Sequence, residues 1–183
     1  MIKKISNRAY LIISVILSVV IIDQVTKFVV KKLMNLRESI DIMGDFFQFT
    51  YIENPGMAFG LQMENKILFT LLSIGASIVV FIYLYRMRNE KVMLVLALSF
   101  IMGGAIGNLI DRLIYGRVVD FLDFEFFDIK IPDFNFLFID FPGFELTRWP
   151  IFNIADSSVT IGMIIITWMI FFVKDTPKIE STA

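Results

Sequence analysis

Four long apolar runs decide what this chain can become: residues 10–30, 67–85, 92–115 and 154–173. A helical run of about 20 apolar residues matches the hydrocarbon thickness of a bilayer. Inside lipid, only helices and closed barrels satisfy every backbone N–H and C=O. The runs show no period-two alternation, so helices are expected. A chain that is 57% hydrophobic and only 19% charged is too apolar for an ordinary soluble domain of this size. The first run is too long for a signal-peptide core, and no small-residue cleavage site follows it, so it reads as a retained span. The expected fold is an all-α membrane protein, one integral membrane domain over residues 1–183, with four transmembrane helices.

The connections between the runs set sidedness. Lys3, Lys4 and Arg8, then Arg86, Arg88 and Lys91, then Lys174 and Lys178 concentrate positive charge in the short N-terminal arm, the middle loop and the tail. Basic residues mark the cytoplasmic side, which puts both termini in the cytoplasm and residues 31–66 and 116–153 outside. Lys31, Lys32 and Arg37 run against this bias without reversing it. Phe47, Phe49 and Tyr51 repeat at period two, as a short extracytoplasmic β-sheet at the membrane surface requires. Asn54, Pro55, Gly56 and Gly60 then read as turn formers. Residues 116–153 hold half of the chain's 20 Phe, alternating with acidic residues and broken at Pro132, Pro142 and Gly143. That pattern fits short strands or an amphipathic element, an aromatic-rich interfacial loop with one face in lipid and one in water.

The chain has neither Cys nor His, which removes disulfides, thiolate and Ser-His catalysis and the commonest metal ligands. A net charge of −1, with no Gly-rich phosphate loop, gives no basis for nucleic-acid binding. Any chemistry must fall to carboxylates, Lys, Ser/Thr or Tyr. Ionisable residues at membrane depth are costly and avoid lipid. Asp23 and Lys27 interrupt the first span at i, i+4, the spacing of an ion pair that anchors the helix end. Asn108, Asp111 and Arg112 can share one face of the third span. There, an ion pair of Asp111 with Arg112 or a neighbour, serving helix packing, stands beside a functional reading. Asn153 and Asp156 have the spacing of a capping box at the start of the fourth span.

Asp120 lies just beyond the third span and Asp156 at the start of the fourth, so both reach the same membrane surface. Two close carboxylates cannot both ionise easily and share a proton near neutrality. Such a dyad hydrolyses peptides without metal or nucleophilic side chain, one carboxyl as general base and the other as general acid. The alternative is a proton or ion pathway through Asp23, Lys27, Asp111 and Arg112. The GxGD motif of another class of intramembrane aspartyl protease is absent.

Four blocks in order, N-P-G-M-A-F-G at Asn54–Gly60, G-N-L-I-D-R at Gly107–Arg112, V-V-D-F at Val118–Phe121 and F-N-I-A-D-S at Phe152–Ser157, resemble the signature of the lipoprotein signal peptidase (signal peptidase II) family. The resemblance covers about residues 10–173. It implies a bacterial inner-membrane aspartyl endopeptidase, multi-pass, with its active site at the outer face. The enzyme would cut diacylglyceryl-prolipoprotein just before the modified Cys. It would act as a monomer among membrane lipid, without metal or other cofactor and without nucleic acid. The family's catalytic pair falls on Asp120 and Asp156, and its substrate-binding or supporting residues on Asp23, Lys27, Asn54, Gly56, Asn108, Asp111, Arg112, Asn153 and Ala155. The stretch between Asp120 and Asp156 is longer than the family pattern leads one to expect, which bears on the lid over the active site that the resemblance implies for the segment after Gly116 and on substrate selectivity. The carboxylates themselves are unaffected, because a surface loop lengthens at small entropic cost.

Overall fold

The computed structural model describes residues 2–58, 61–62, 66–126, 129–136 and 139–173. Phe59 and Gly60 of the first motif, part of the aromatic segment and the tail from residue 174 lie outside the described residues. The four apolar runs form four helices long and apolar enough to span a membrane: α1 (Ile2–Leu33), α2 (Lys66–Met87), α3 (Val92–Tyr115) and α4 (Ile154–Phe172). α1 begins before its apolar run, carrying Lys3, Lys4 and Arg8 on its first turns. Lys and Arg are good helix formers, and nothing in the arm breaks the helix.

α3 is the central helix and packs against the other three. Its glycines explain how. A Cβ on Gly104 would collide with the Ala155 carbonyl oxygen of α4, and one on Gly103 would stand 2.8 Å from Val19 Cβ of α1. Such small residues let membrane helices approach where no hydrophobic effect drives them together. Leu84, Val95, Leu98 and Met102 form the apolar core between α2 and α3.

Between α1 and α2 the chain forms β1 (Ser39–Met43), β2 (Phe47–Asn54), β3 (Met57–Ala58) and β4 (Leu61–Gln62). The period-two aromatics fall on β2. After α3, Gly116 takes a left-handed φ of 67° and its N–H caps the Arg112 carbonyl, which ends the helix and starts β5 (Val118–Phe124). β1, β2 and β5 make one antiparallel sheet in that order, with Ile52 opposite Asp120. Val30, Tyr51, Val119 and Phe121 bury its inner face against the end of α1.

The aromatic segment folds as strands β6 (Ile129–Ile131), β7 (Phe134–Phe136), β8 (Ile139–Phe141) and β9 (Phe144–Leu146). β6 pairs with β9 and β7 with β8, and the partner numbering runs from Ile129↔Leu146 to Phe136↔Ile139 without a shift. The four strands are one antiparallel hairpin interrupted at Pro132 and Pro142, residues that cannot donate to a ladder.

Its base is clamped to the sheet. Trp149 N–H donates to the Phe124 carbonyl and Phe152 pairs with Leu122. Arg148 Nε donates to Asp123 Oδ1 at 2.9 Å and Nη1 to Glu125 at 2.6 Å, while Thr50 holds the other Asp123 oxygen at 2.6 Å.

Candidate active site

β5 and the first turn of α4 deliver the two carboxylates. Asp120 sits in mid-strand, 2% exposed, and Asp156 is the third residue of its helix. Both line one cavity of about 610 Å³, together with Asn54, Asn108, Arg112 and Phe69. The cavity is mostly apolar, and Trp149, Phe126 and Phe152 wall it on the side of the hairpin base.

Two asparagines tie the carboxylates together. Asn153 Nδ2 lies 2.6 Å from Asp120 Oδ1 and 3.1 Å from Asn108 Oδ1, while Asn108 Nδ2 donates to Asp156 Oδ1 at 2.8 Å. The capping box expected from spacing is present as well. Asn153 Oδ1 accepts the Asp156 N–H at 3.0 Å and Asp156 Oδ2 accepts the Asn153 N–H at 3.3 Å. Helix initiation and site building therefore use different atoms of the same two residues. On the far side of Asp120, Asn54 Nδ2 donates to Oδ2 at 3.1 Å, and Asn54 Oδ1 accepts the Gly56 N–H at 3.0 Å. Gly56 has φ 117°, and a Cβ there would press on the Phe69 ring at 3.1 Å.

Burial pushes the Asp120 carboxyl up to about 7, and the neighbouring charge of Asp156 adds to the rise. Hydrogen bonds from Asn54 and Asn153 and the charge of Lys27 pull the other way without cancelling it. Asp120 thus exchanges its proton near neutrality.

Behind the carboxylates lies a buried ionic cluster. The three protons of the Lys27 ammonium meet three acceptors: Asp23 Oδ2 at 2.9 Å, Asp111 Oδ2 at 3.1 Å and Asn108 Oδ1 at 3.0 Å. Asp23 Oδ1 accepts the Ala155 N–H at 2.9 Å, one of the unpaired donors at the start of α4. Asp111 Oδ2 accepts the Val119 N–H at 3.1 Å. Gln24 bridges Asp23, Asp111 and the Gly107 carbonyl. Among the described residues no buried side-chain N or O lacks a partner.

Spacing alone left Asp111 to pair with Arg112 or a neighbour, and the partner is Lys27. Consecutive helical residues diverge by about 100°. Asp111 consequently turns towards α1, while Arg112 lines the cavity with its guanidinium 4.7 Å over the Phe69 ring. Likewise, the Asp23–Lys27 pair does more than anchor a helix end. All of the proposed positions converge: Asn54, Asn108 and Asn153 touch a carboxylate, Asp23, Lys27, Asp111 and Ala155 lie one contact behind, and Gly56 and Arg112 flank the cavity.

Sequence reasoning missed Gln24, Phe69 and the Arg148 clamp. Gln24, a polar residue beside Asp23 inside an apolar run, carried a visible signal; Phe69, one of many span aromatics, carried none. Among the described residues no group of three or more acidic side chains is arranged to hold a metal ion.

A family model described as signal peptidase (SPase) II matches residues 15–172. The chain is 39% identical to a lipoprotein signal peptidase of Pelodictyon phaeoclathratiforme, over 94% of this chain and 95% of that one. It is 38% identical to a lipoprotein signal peptidase of Halothermothrix orenii, over 81% and 86%. A solved structure of a bacterial membrane enzyme, determined in meso at 2.3 Å, superposes with a TM-score of 0.67 at 30% identity, covering 91% of this chain and 93% of that one.

Proposed function

The chain belongs to the signal peptidase II family, and from that premise we propose that Asp120 and Asp156 form its catalytic dyad. The protein is then a multi-pass aspartic endopeptidase of a bacterial inner membrane that removes lipoprotein signal peptides. Its substrate is diacylglyceryl-prolipoprotein, cut just before the lipidated Cys. The observation that carries this reading is the shared cavity: both carboxylates line it, joined through Asn108 and Asn153.

In the resting dyad Asp120 holds the shared proton, in keeping with its elevated pKa, and Asp156 is ionised. Asp156 takes a proton from water as the water oxygen attacks the scissile carbonyl. Asp120 gives its proton to the carbonyl oxygen, forming a neutral gem-diol. In the second half, Asp156 passes its proton to the leaving amine of the Cys, and Asp120 takes back a hydroxyl proton as the C–N bond breaks. The resting state is restored. Arg112, at the cavity wall, adds positive charge near the developing oxyanion.

The topology suits the substrate. With both termini cytoplasmic, the sheet end of the bundle faces outward, and the dyad sits where hydrocarbon meets water. There, a lipid-anchored Cys and an attacking water can coexist. Among the described residues, the buried charged side chains Asp23, Lys27, Asp111, Asp120 and Asp123 gather at that end, which favours a single reaction centre over an ion path through the bundle.

The test is cleavage of a lipidated prolipoprotein by the wild type and by Asp120→Asn and Asp156→Asn, each checked for insertion and folding. Both variants should be inactive. Substantial turnover by either one rules out the dyad.

A further inference from the structure

The opposite end of the bundle holds a second feature, separate from the dyad. α1 and α2 each pack on α3, and between them runs a groove of about 390 Å³. Its walls are Ile12 and Ile16 of α1 and Phe81 and Leu84 of α2, and its mouth carries Arg8 and Arg88. Arg8 lies roughly 22 Å along α1 from Asp23, given about 1.5 Å of rise per helical residue. The groove therefore belongs to the leaflet facing away from the active site.

Its chemistry is graded along its length. Leu84, 4% exposed, forms the floor, whereas Phe81 and Ile13 are more than half exposed, so the groove opens sideways to hydrocarbon. At the mouth both guanidiniums are held in place. Arg8 Nη1 donates to the Glu90 carbonyl at 3.1 Å, and the Arg88 guanidinium lies 4.0 Å from the Tyr85 ring. Five N–H donors per guanidinium leave others for a ligand, and the fork suits phosphate oxygens. The lining contains two arginines and no carboxylate.

An apolar trough that opens to lipid and ends in two cations is complementary to one molecule type. We propose that the groove is a binding site for a single anionic phospholipid of the leaflet opposite the active site. The phosphate sits between Arg8 and Arg88, and the first part of an acyl chain lies along Ile12, Ile16, Phe81 and Leu84. A zwitterionic lipid fills the trough and also brings a phosphate, but its own cation leaves the net charge of the two arginines unchanged, whereas an anionic lipid lowers it by one. The bound lipid covers the seam where α1 and α2 rest on α3, so it acts as a packing element of the bundle.

The test uses the full-length protein in neutral detergent, offered dioleoyl phosphatidylglycerol and dioleoyl phosphatidylcholine in equal amounts, with retained lipid counted by native mass spectrometry. One phosphatidylglycerol per chain should be retained in about tenfold excess over phosphatidylcholine, since each basic residue near a headgroup adds an appreciable attraction. The excess should vanish in the double variant Arg8→Gln, Arg88→Gln and persist in Arg8→Lys, Arg88→Lys. Millimolar inorganic phosphate should leave the adduct in place. Equal retention of the two lipids by the wild type overturns the proposal, and that comparison needs no variant to fold. Undiminished discrimination by the Gln double variant, or full displacement by inorganic phosphate, overturns it too. None of these readouts depends on peptide cleavage.

Discussion

Asp23 and Ala155, far apart in sequence, meet where the Asp23 carboxylate accepts the Ala155 backbone N–H at 2.9 Å. Asp111 does the same for the Val119 N–H at 3.1 Å. Each buried acid thus grips the residue immediately before one of the two carboxylates that line the cavity. Lys27 lies between the two acids and bonds to both. The ionic cluster thus ties down the backbone from which Asp120 and Asp156 project.

Activity should depend on pH through Asp120. In the proposed mechanism Asp120 must hold a proton to act as the acid, and burial pushes its carboxyl up to about 7. kcat/KM should therefore fall about tenfold per unit as pH rises well above 7. The Asn54 hydrogen bond favours the ionised form, so Asn54→Ala should raise the pKa and move this alkaline limb to higher pH. A limb that moves to lower pH contradicts the assignment.

Stability carries the same signature. Because the folded-state pKa of Asp120 lies above that of an ordinary carboxylate, the folded chain binds more protons than the unfolded one between about pH 4 and 7. This contribution is fully present at acid pH and fades as pH climbs through 7. The Tm of the wild type measured against Asp120→Asn should drop across that window and level off above it. A difference that grows with pH would refute the shift.

Asp111→Asn separates positioning from catalysis. The substitution leaves Lys27 short of one charged partner in a site that is 2% exposed, and should cost about 3 kcal/mol by thermal or denaturant unfolding. Turnover per folded molecule should change much less. Normal stability with abolished turnover would move Asp111 into the reaction itself.

Helix contact gives a cleaner contrast. Gly104→Ala drives a Cβ into the Ala155 carbonyl and to 2.8 Å from Val159 Cγ2, and should destabilise by about 1–3 kcal/mol. Gly75→Ala, with nothing within 4 Å of the added carbon, should be neutral or mildly stabilising. Equal effects in an unfolding assay would show that α3 and α4 are not closely packed.

Two exposed-looking arginines should differ. Arg117 is exposed where it pairs with a half-buried Glu53, so Arg117→Ala should cost under about 1 kcal/mol. Arg148→Ala strips the charged partner from Asp123, which is 5% exposed and keeps the Thr50 hydrogen bond, and should cost about 1–3 kcal/mol. Limited proteolysis of residues 129–146 should quicken in Arg148→Ala alone.

Much of this was readable in the chain because the relevant signals are local. Apolar run length fixes a span, period-two aromatics fix β2, and three-residue spacing fixes the cap at Asn153. The two acids, one at each of two span ends, were legible for the same reason. Long-range pairing was not. Nothing in the spacing of Asp111 says that its cation comes from α1 rather than from the next residue. Asp120 was expected just past a helix, yet it stands in a strand whose partner lies in the first connection, and sheet order depends on which segments meet in space. Phe69 is one apolar ring among many until Arg112 is seen against it. In sequence, residues 129–146 fit short strands or an amphipathic element equally well, because the prolines interrupt the very alternation that marks a strand.

That hairpin keeps a single register on both sides of Pro132 and Pro142. Removing one residue from each strand, or adding one, changes how far the arm reaches without rotating its root, which stays fixed at Leu122, Phe124 and Arg148. The arm is in effect an extension built on a fixed base. Its length can change while the sheet that carries Asp120 stays as it is.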